Sequence, residues 1–209
     1  MTGARRTAGD RRAQLVEIGL QLLPTTPVQD LTVDEVARRA GISRSLLFHY
    51  FATKSDYYTA VLEAAAALLR DHVAPRPGTP PTGTLPAMLD RFLSWVETYR
   101  DSYVAFVRGA HAGDPEIAAV YEGTREQLVE VALAAVALED TPHDRQLVRS
   151  WFAFAESLVL QWTQQPTMTR AELLALVTDV LTRLTARPDR ARQPAPPPPA
   201  PPPADPPPC

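Results

Sequence analysis

The chain of 209 residues is 45% apolar and 22% charged, with a net charge of −3. That is the composition of an ordinary globular protein with room for a small domain packed on a larger one. No apolar run approaches the ~20 residues that a membrane helix requires, and the basic stretch Met1–Arg12 leads into no long apolar segment, which excludes a secretory signal. Cys209 is the single cysteine, which excludes an internal disulfide framework or a cysteine-based zinc site and makes a reducing cytoplasm the expected location.

Residues 1–10 read as a flexible arm. Arg11–Leu23 then carries Leu15, Ile18 and Leu22 on one helical stripe, and Pro24 ends it. Thr32 and Glu35 have the spacing of a capping box, with Leu31 placed to staple onto Val36 across the first turn. Gly41 stands where a helix C-terminus wants a left-handed residue. Ser43 caps again at once, with Ile42 and Leu47 as a second staple. Two short helices around Gly41-Ile42 have the spacing of a helix-turn-helix. A cap at Thr53, with Asp56 three residues on, starts a longer helix to about Val73.

Pro75–Pro86 reads as a Pro/Gly/Thr loop. Helices are expected over Ala87–Tyr99 and Ser102–Ala110. Asp114-Pro115-Glu116 combines an N-cap, a proline at the first helical position and an acidic first turn, launching a helix to about Leu138. Thr141-Pro142 repeats the device ahead of Asp144–Gln165, and Thr169 with Glu172 caps a last helix to about Arg187. Twelve of the last twenty-two residues are proline, so 188–209 reads as a disordered, extended tail. The fold class is therefore all-α: a helix-turn-helix domain over 11–57 and a helical body over 58–187.

A helix that enters the major groove buries one side in its own domain and offers the other to base edges and phosphates. In Ser43–Phe51, Leu47 and Phe51 share a face with Ile42, the face to bury. Arg44, Ser45, Phe48 and His49 lie largely opposite. Arg44 suits guanine, Phe48 a thymine methyl, Ser45 and His49 a base or phosphate. Tyr50 and Lys54 flank this face at phosphate height, and Thr32 opens a helix whose free amides could seat another phosphate. Each also has a structural reading: Thr32 and Ser43 as caps, Phe48 as core, His49 and Lys54 as surface. Charge leans the same way as the groove reading. Residues 1–57 carry eight basic and six acidic side chains, whereas 58–187 carry eleven basic and sixteen acidic. Lys54 is the only lysine.

The stretch Leu31–Lys54, and above all Ala40–Asp56, resembles the DNA-binding region of the TetR family of regulators. The similarity reaches back through the first helix and forward to about Leu62. It implies a three-helix DNA-binding domain, a helical ligand-binding and dimerisation domain, a homodimer on a palindromic double-stranded operator, and repression relieved by a small-molecule effector. The family's contacts fall on Thr32 for phosphate, Arg44 and Ser45 for bases, Phe48, His49 and Tyr50 at the groove, and Lys54 for phosphate. Ser45 stands where glycine is common, Leu46 where a small polar residue is common, and Phe48 where tyrosine is usual.

In the body, Asp144–Gln165 is apolar on two sides. Val148, Phe152, Ala155, Val159 and Trp162 form one stripe, with Trp151, Phe154 and Leu158 beside it, so the helix needs partners on two faces. Leu173, Val177, Val180 and Leu184 stripe the last helix. The resemblance implies that these two helices pair with their symmetry mates. Trp95, Tyr99, Tyr103, Phe106, Tyr121 and Trp151 suffice to line an apolar pocket or simply to pack a core. Arg108, His111, Arg125 and Glu156 are the polar candidates there, with Glu156 expected to pair with Arg125 or Arg149 or to meet a cationic ligand. No cofactor, metal-ligand spacing, nucleophile motif or phosphate loop is evident, so an enzyme is not expected.

Overall fold

The computed structural model describes residues 8–76 and 81–186. Among these the chain is all-helical: α1 (Ala8–Leu22), a 3-10 turn (Val28–Asp30), α2 (Val33–Ala40), α3 (Arg44–Tyr50), α4 (Lys54–Val73), α5 (Pro81–Thr98), α6 (Arg100–His111), α7 (Pro115–Ala135), α8 (Pro142–Gln164) and α9 (Arg170–Thr185). The Pro-rich segment from 188 on lies outside the described residues. None of the described helices is long and apolar enough to cross a membrane.

Two apolar cores organise these helices. Leu15, Ile18 and Leu22 of α1, Val33 and Val36 of α2, Leu47 of α3, and Tyr57 and Val61 of α4 form the first, with Phe51 between α3 and α4. Leu69 and Val73 of α4 enter the second, which α5, α7, α8 and α9 complete around Leu93, Val96, Val129, Val148 and Leu173. Helix α4 thus serves both cores, and position 57/58 falls one turn inside it. Phe106 and Tyr121, from α6 and α7, also join the first core.

Local chemistry sets the helix ends. The side chains of Thr32, Ser43, Thr53, Asp114, Thr141 and Thr169 each accept a backbone N–H of the turn they open. The boxes at Thr53/Asp56 and Thr169/Glu172 are complete. The one expected at Thr32/Glu35 forms only half: Thr32 accepts from the Glu35 amide, but the Glu35 carboxylate is taken by Arg38 and Arg39, each at 2.7 Å. Those hydrogen bonds hold its pKa below the usual range. Gly41 adopts φ 66°, ψ 36°, the left-handed C-cap its position required.

Two expectations yield to the structure. Helix α1 begins at Ala8, inside the stretch expected to be a flexible arm. Helix α5 begins at Pro81, inside the expected loop, and runs through Pro86. Proline at that point removes one intrahelical hydrogen bond. Leu85, Met88, Leu89 and Phe92 are all buried around it, and that apolar burial outweighs the local preference.

Helices α1 and α4 cross at close quarters. A Cβ on Gly19 would lie 2.5 Å from Val61 Cγ2 and 2.7 Å from the Tyr57 hydroxyl, so this glycine supplies clearance. Tyr57 is fully buried and donates its hydroxyl to the Leu15 carbonyl oxygen at 2.9 Å. Gly19→Ala forces apart a packed helix pair, and we expect a loss of about 1–3 kcal/mol in denaturant unfolding despite alanine's better helix propensity.

Candidate nucleic-acid interface and interior cavity

Leu47 and Phe51 anchor α3 in the first core, at 0% and 2% exposure. With that face buried, Arg44, Ser45 and His49 stand in solvent, as the helical spacing required, and Leu46 is exposed beside them. Phe48 departs from the expected pattern. It is half-buried against the first core, while Arg44 sits over its ring at 5.7 Å. Its bulk straddles the edge of the buried face, because a seven-residue helix on two neighbours has little surface that is wholly free. Ile42 is likewise half-buried instead of fully enclosed.

The other expected contact residues surround α3. Thr32 opens α2 and is exposed. Tyr50 is half-buried, with its ring edge-on to His49 at 5.4 Å. Lys54, at the first position of α4, holds its Nζ 4.7 Å above the Tyr58 ring, and the Tyr58 hydroxyl donates to the Leu31 carbonyl oxygen. The sole lysine is therefore aimed by a tyrosine that also ties α4 to the start of α2. Two further partners went unnoticed in the sequence. Asp34 accepts from Arg44 Nη1 at 3.2 Å, and Ser43 Oγ lies 3.0 Å from Ser45 Oγ. Asp34 precedes Arg44 by ten residues and meets it across the turn, a proximity that no helical period encodes.

A cavity of about 40 Å³ lies at the junction of the two cores. Leu23 and Val28 wall it from one side, α4 from another through Leu62, Ala65, Ala66 and Leu69, and α5 and α6 through Trp95, Tyr99, Ser102, Tyr103 and Phe106, with Thr124 of α7 behind. Four expected pocket residues, Trp95, Tyr99, Tyr103 and Phe106, thus share one wall. Trp151 does not. It donates its indole N–H to the Val177 carbonyl oxygen at 2.9 Å and lines a separate void of about 30 Å³ beside Met88, Phe92 and Phe152. Arg108 and His111 are exposed at the end of α6.

The expected pairing of Glu156 with an arginine is corrected. Glu156, 5% exposed, accepts from the Tyr103 hydroxyl at 2.5 Å and the Tyr121 hydroxyl at 2.6 Å. Arg149 instead bonds Glu122 and Glu126 at the α7–α8 surface, and Arg125 donates to the Arg149 carbonyl oxygen and lies 3.8 Å from Glu122. Burial first, then the neighbouring Glu156, pushes both phenols well above their ordinary pKa, so both remain donors across the physiological range. Tyr103→Phe leaves one buried oxygen short of a partner. We expect a loss of about 1–3 kcal/mol in chemical denaturation, with the helical circular-dichroism spectrum unchanged.

The model for bacterial regulatory proteins of the tetR family matches residues 15–61, and that for the tetracyclin repressor-like C-terminal domain matches residues 81–184. The HTH-type transcriptional regulator BetI of Escherichia coli is 34% identical over 74 residues, which are 35% of this chain and 38% of that protein. The chain therefore aligns with little more than a third of the length of such curated relatives. A crystal structure of a tetR-family transcriptional regulator from Streptomyces coelicolor superposes with a TM-score of 0.74 at 29% identity, over 88% of this chain and 82% of that one. The crystal structure of Thermus thermophilus FadR, a TetR-family repressor in complex with lauroyl-CoA, shares the fold at TM-score 0.60 and 20% identity, over 88% of this chain and 98% of that one. With its two parts matched in order on one all-helical chain, this protein belongs to the TetR family of DNA-binding transcriptional regulators.

Proposed function

We propose that the chain acts as a homodimeric repressor that inserts α3 into successive major grooves of a palindromic operator and releases it when a small molecule occupies the body. The observation that carries the DNA half is the division of α3. Leu47 and Phe51 are locked in the core, while Arg44, Ser45 and His49 are free of it, with Lys54 and Thr32 at the two flanking helix starts. In this reading Arg44 and Ser45 face bases, His49 and Phe48 the groove wall, and Thr32, Tyr50 and Lys54 phosphates.

A single short helix reads few base pairs, so specificity requires two copies. The apolar surplus on the last two helices supports dimerisation there. Phe154 of α8 and Leu176 and Leu184 of α9 are 40%, 40% and 45% exposed, whereas Val148, Phe152, Val177 and Leu181 on the same helices are buried. The effector half is supported by the cavity at the junction of the two cores and by the lauroyl-CoA bound to the FadR relative.

Selection of bound duplexes from a random pool tests the reading: an enriched palindrome is expected, and the absence of any enriched sequence defeats it. Affinity for the selected site should fall with salt by about −0.9 in log–log slope for each neutralised phosphate. Lys54→Ala should weaken binding to all sequences alike, whereas Arg44→Ala should also relax preference at about one position per half-site, at about 1–3 kcal/mol. Asp34→Ala removes a negative charge from the DNA-facing side and frees Arg44, so non-specific affinity should rise at low salt. Leu176→Glu with Leu184→Glu should yield monomers in sedimentation and abolish half-site cooperativity.

A further inference from the structure

We propose that the cavity at the junction of the two cores is a site for an uncharged, predominantly apolar molecule, and that Ser102 couples its occupancy to α1. The proposal rests on the effector-responsive reading above and names the ligand class and the coupling residue.

The ligand class follows from the wall. Of its twelve lining residues four carry a hydroxyl, Tyr99, Ser102, Tyr103 and Thr124, and the last three are already donors elsewhere. Ser102 donates to the Leu23 carbonyl oxygen at 2.5 Å, Tyr103 to Glu156 at 2.5 Å, and Thr124 to the Val120 carbonyl oxygen at 2.6 Å. No charged side chain lines the cavity. Glu156 bonds the lining Tyr103, but both of its oxygens are already taken, by Tyr103 and Tyr121. A charged molecule entering here would shed its hydration and gain no counter-charge from the wall. An apolar one would gain contact with aromatic and aliphatic carbon, including the Trp95–Tyr99 pair, whose ring centroids are 4.3 Å apart.

The coupling follows from size and position. At about 40 Å³ the cavity holds no more than a few waters, so any ring-sized ligand must displace wall. Most of that wall stands within α4, α5, α6 and α7, with Ala65, Trp95, Tyr99 and Ser102 half-buried. Leu23 and Val28 are the exception: they lie at the end of α1 and in the 3-10 turn, and Ser102 fastens this segment to α6 through Leu23. Ligand volume beneath Leu23 lengthens that hydrogen bond and shifts α1, on which α2 and α3 pack. Linkage then requires that DNA binding and occupancy oppose each other by the same factor.

The probe is N-phenyl-1-naphthylamine, titrated by fluorescence against the full chain. Its sulfonated analogue 1-anilinonaphthalene-8-sulfonate and the cationic dye proflavin serve as charged controls. Saturable binding of the neutral probe is expected, at least tenfold tighter than either charged dye, and lost at least tenfold in Ala66→Phe. If that variant does not fold, Ala65→Leu at the cavity edge decides. Equal or tighter binding of a charged dye, or unchanged affinity in the filled variant, overturns the site. Ser102→Ala should keep probe binding but shrink its effect on operator affinity. Without DNA, the probe should speed amide exchange at Thr25 and Thr26 in the native chain and add little in Ser102→Ala. A full probe effect in Ser102→Ala overturns the coupling. If no duplex is selected at all, the operator reading fails on its own, while the dye ratios and amide exchange still decide the cavity.

Discussion

Tyr57 is the pin on which the rest of the molecule hangs. It is fully buried, its hydroxyl bonds the Leu15 carbonyl oxygen on α1, and its ring meets Phe51 edge-on at 5.1 Å. Burial raises its phenol far above the ordinary range, so it stays a donor across the physiological range. One residue thereby fixes the register of α1 on α4 and the end of α3 on both. Gly19 makes the approach close enough for this to work. Because α4 continues from this contact into the second core, one helix joins the seat of α3 to the packing of the body.

Against that apolar framework the polar ties between the two parts are few among the described residues. Ser102 holds Leu23, and Glu116 at the start of α7 accepts from Ser55 at 2.6 Å and Thr59 at 3.0 Å on α4. The larger ionic assembly, in which Arg145 and Arg149 meet Glu122, Glu126 and Asp140, lies within the body between α7 and α8 and at its rim. Exposed pairs of that kind contribute little to stability each, but they hold α8 to α7. The junction is instead joined mainly by apolar packing, with Phe106 and Tyr121 of the body reaching the first core. It is also where the cavity lies.

Helix starts were legible because a cap is a local event. Thr53 and Asp56, Thr169 and Glu172, and Asp114 ahead of Pro115 meet the same backbone amides whatever the rest of the chain does. The inward face of α3 was legible for the same reason, since Leu47 and Phe51 are one turn apart. Pro86 misled because its local preference was weighed without the burial of Leu85, Met88 and Leu89 around it. Glu35 misled because two arginines within one turn competed with the N-cap for its carboxylate. Phe48 misled because a helical wheel has two faces, whereas a short helix against two neighbours has edges as well.

Periodicity and capping by themselves determined that the chain is helical, where most helices begin, and which side of α3 is left free. Only the tertiary structure decided which side chains meet across helices: Asp34 with Arg44, Ser102 with Leu23, Tyr103 and Tyr121 with Glu156. It also divided the aromatic residues of the body between the cavity wall, a separate void and the surface. The physical reason is the range of the interactions. A cap or an apolar stripe is closed within one or two turns, so sequence neighbours specify it. A buried carboxyl is specified by groups 35 and 53 residues apart in the case of Glu156, and their meeting depends on how α6, α7 and α8 pack on one another.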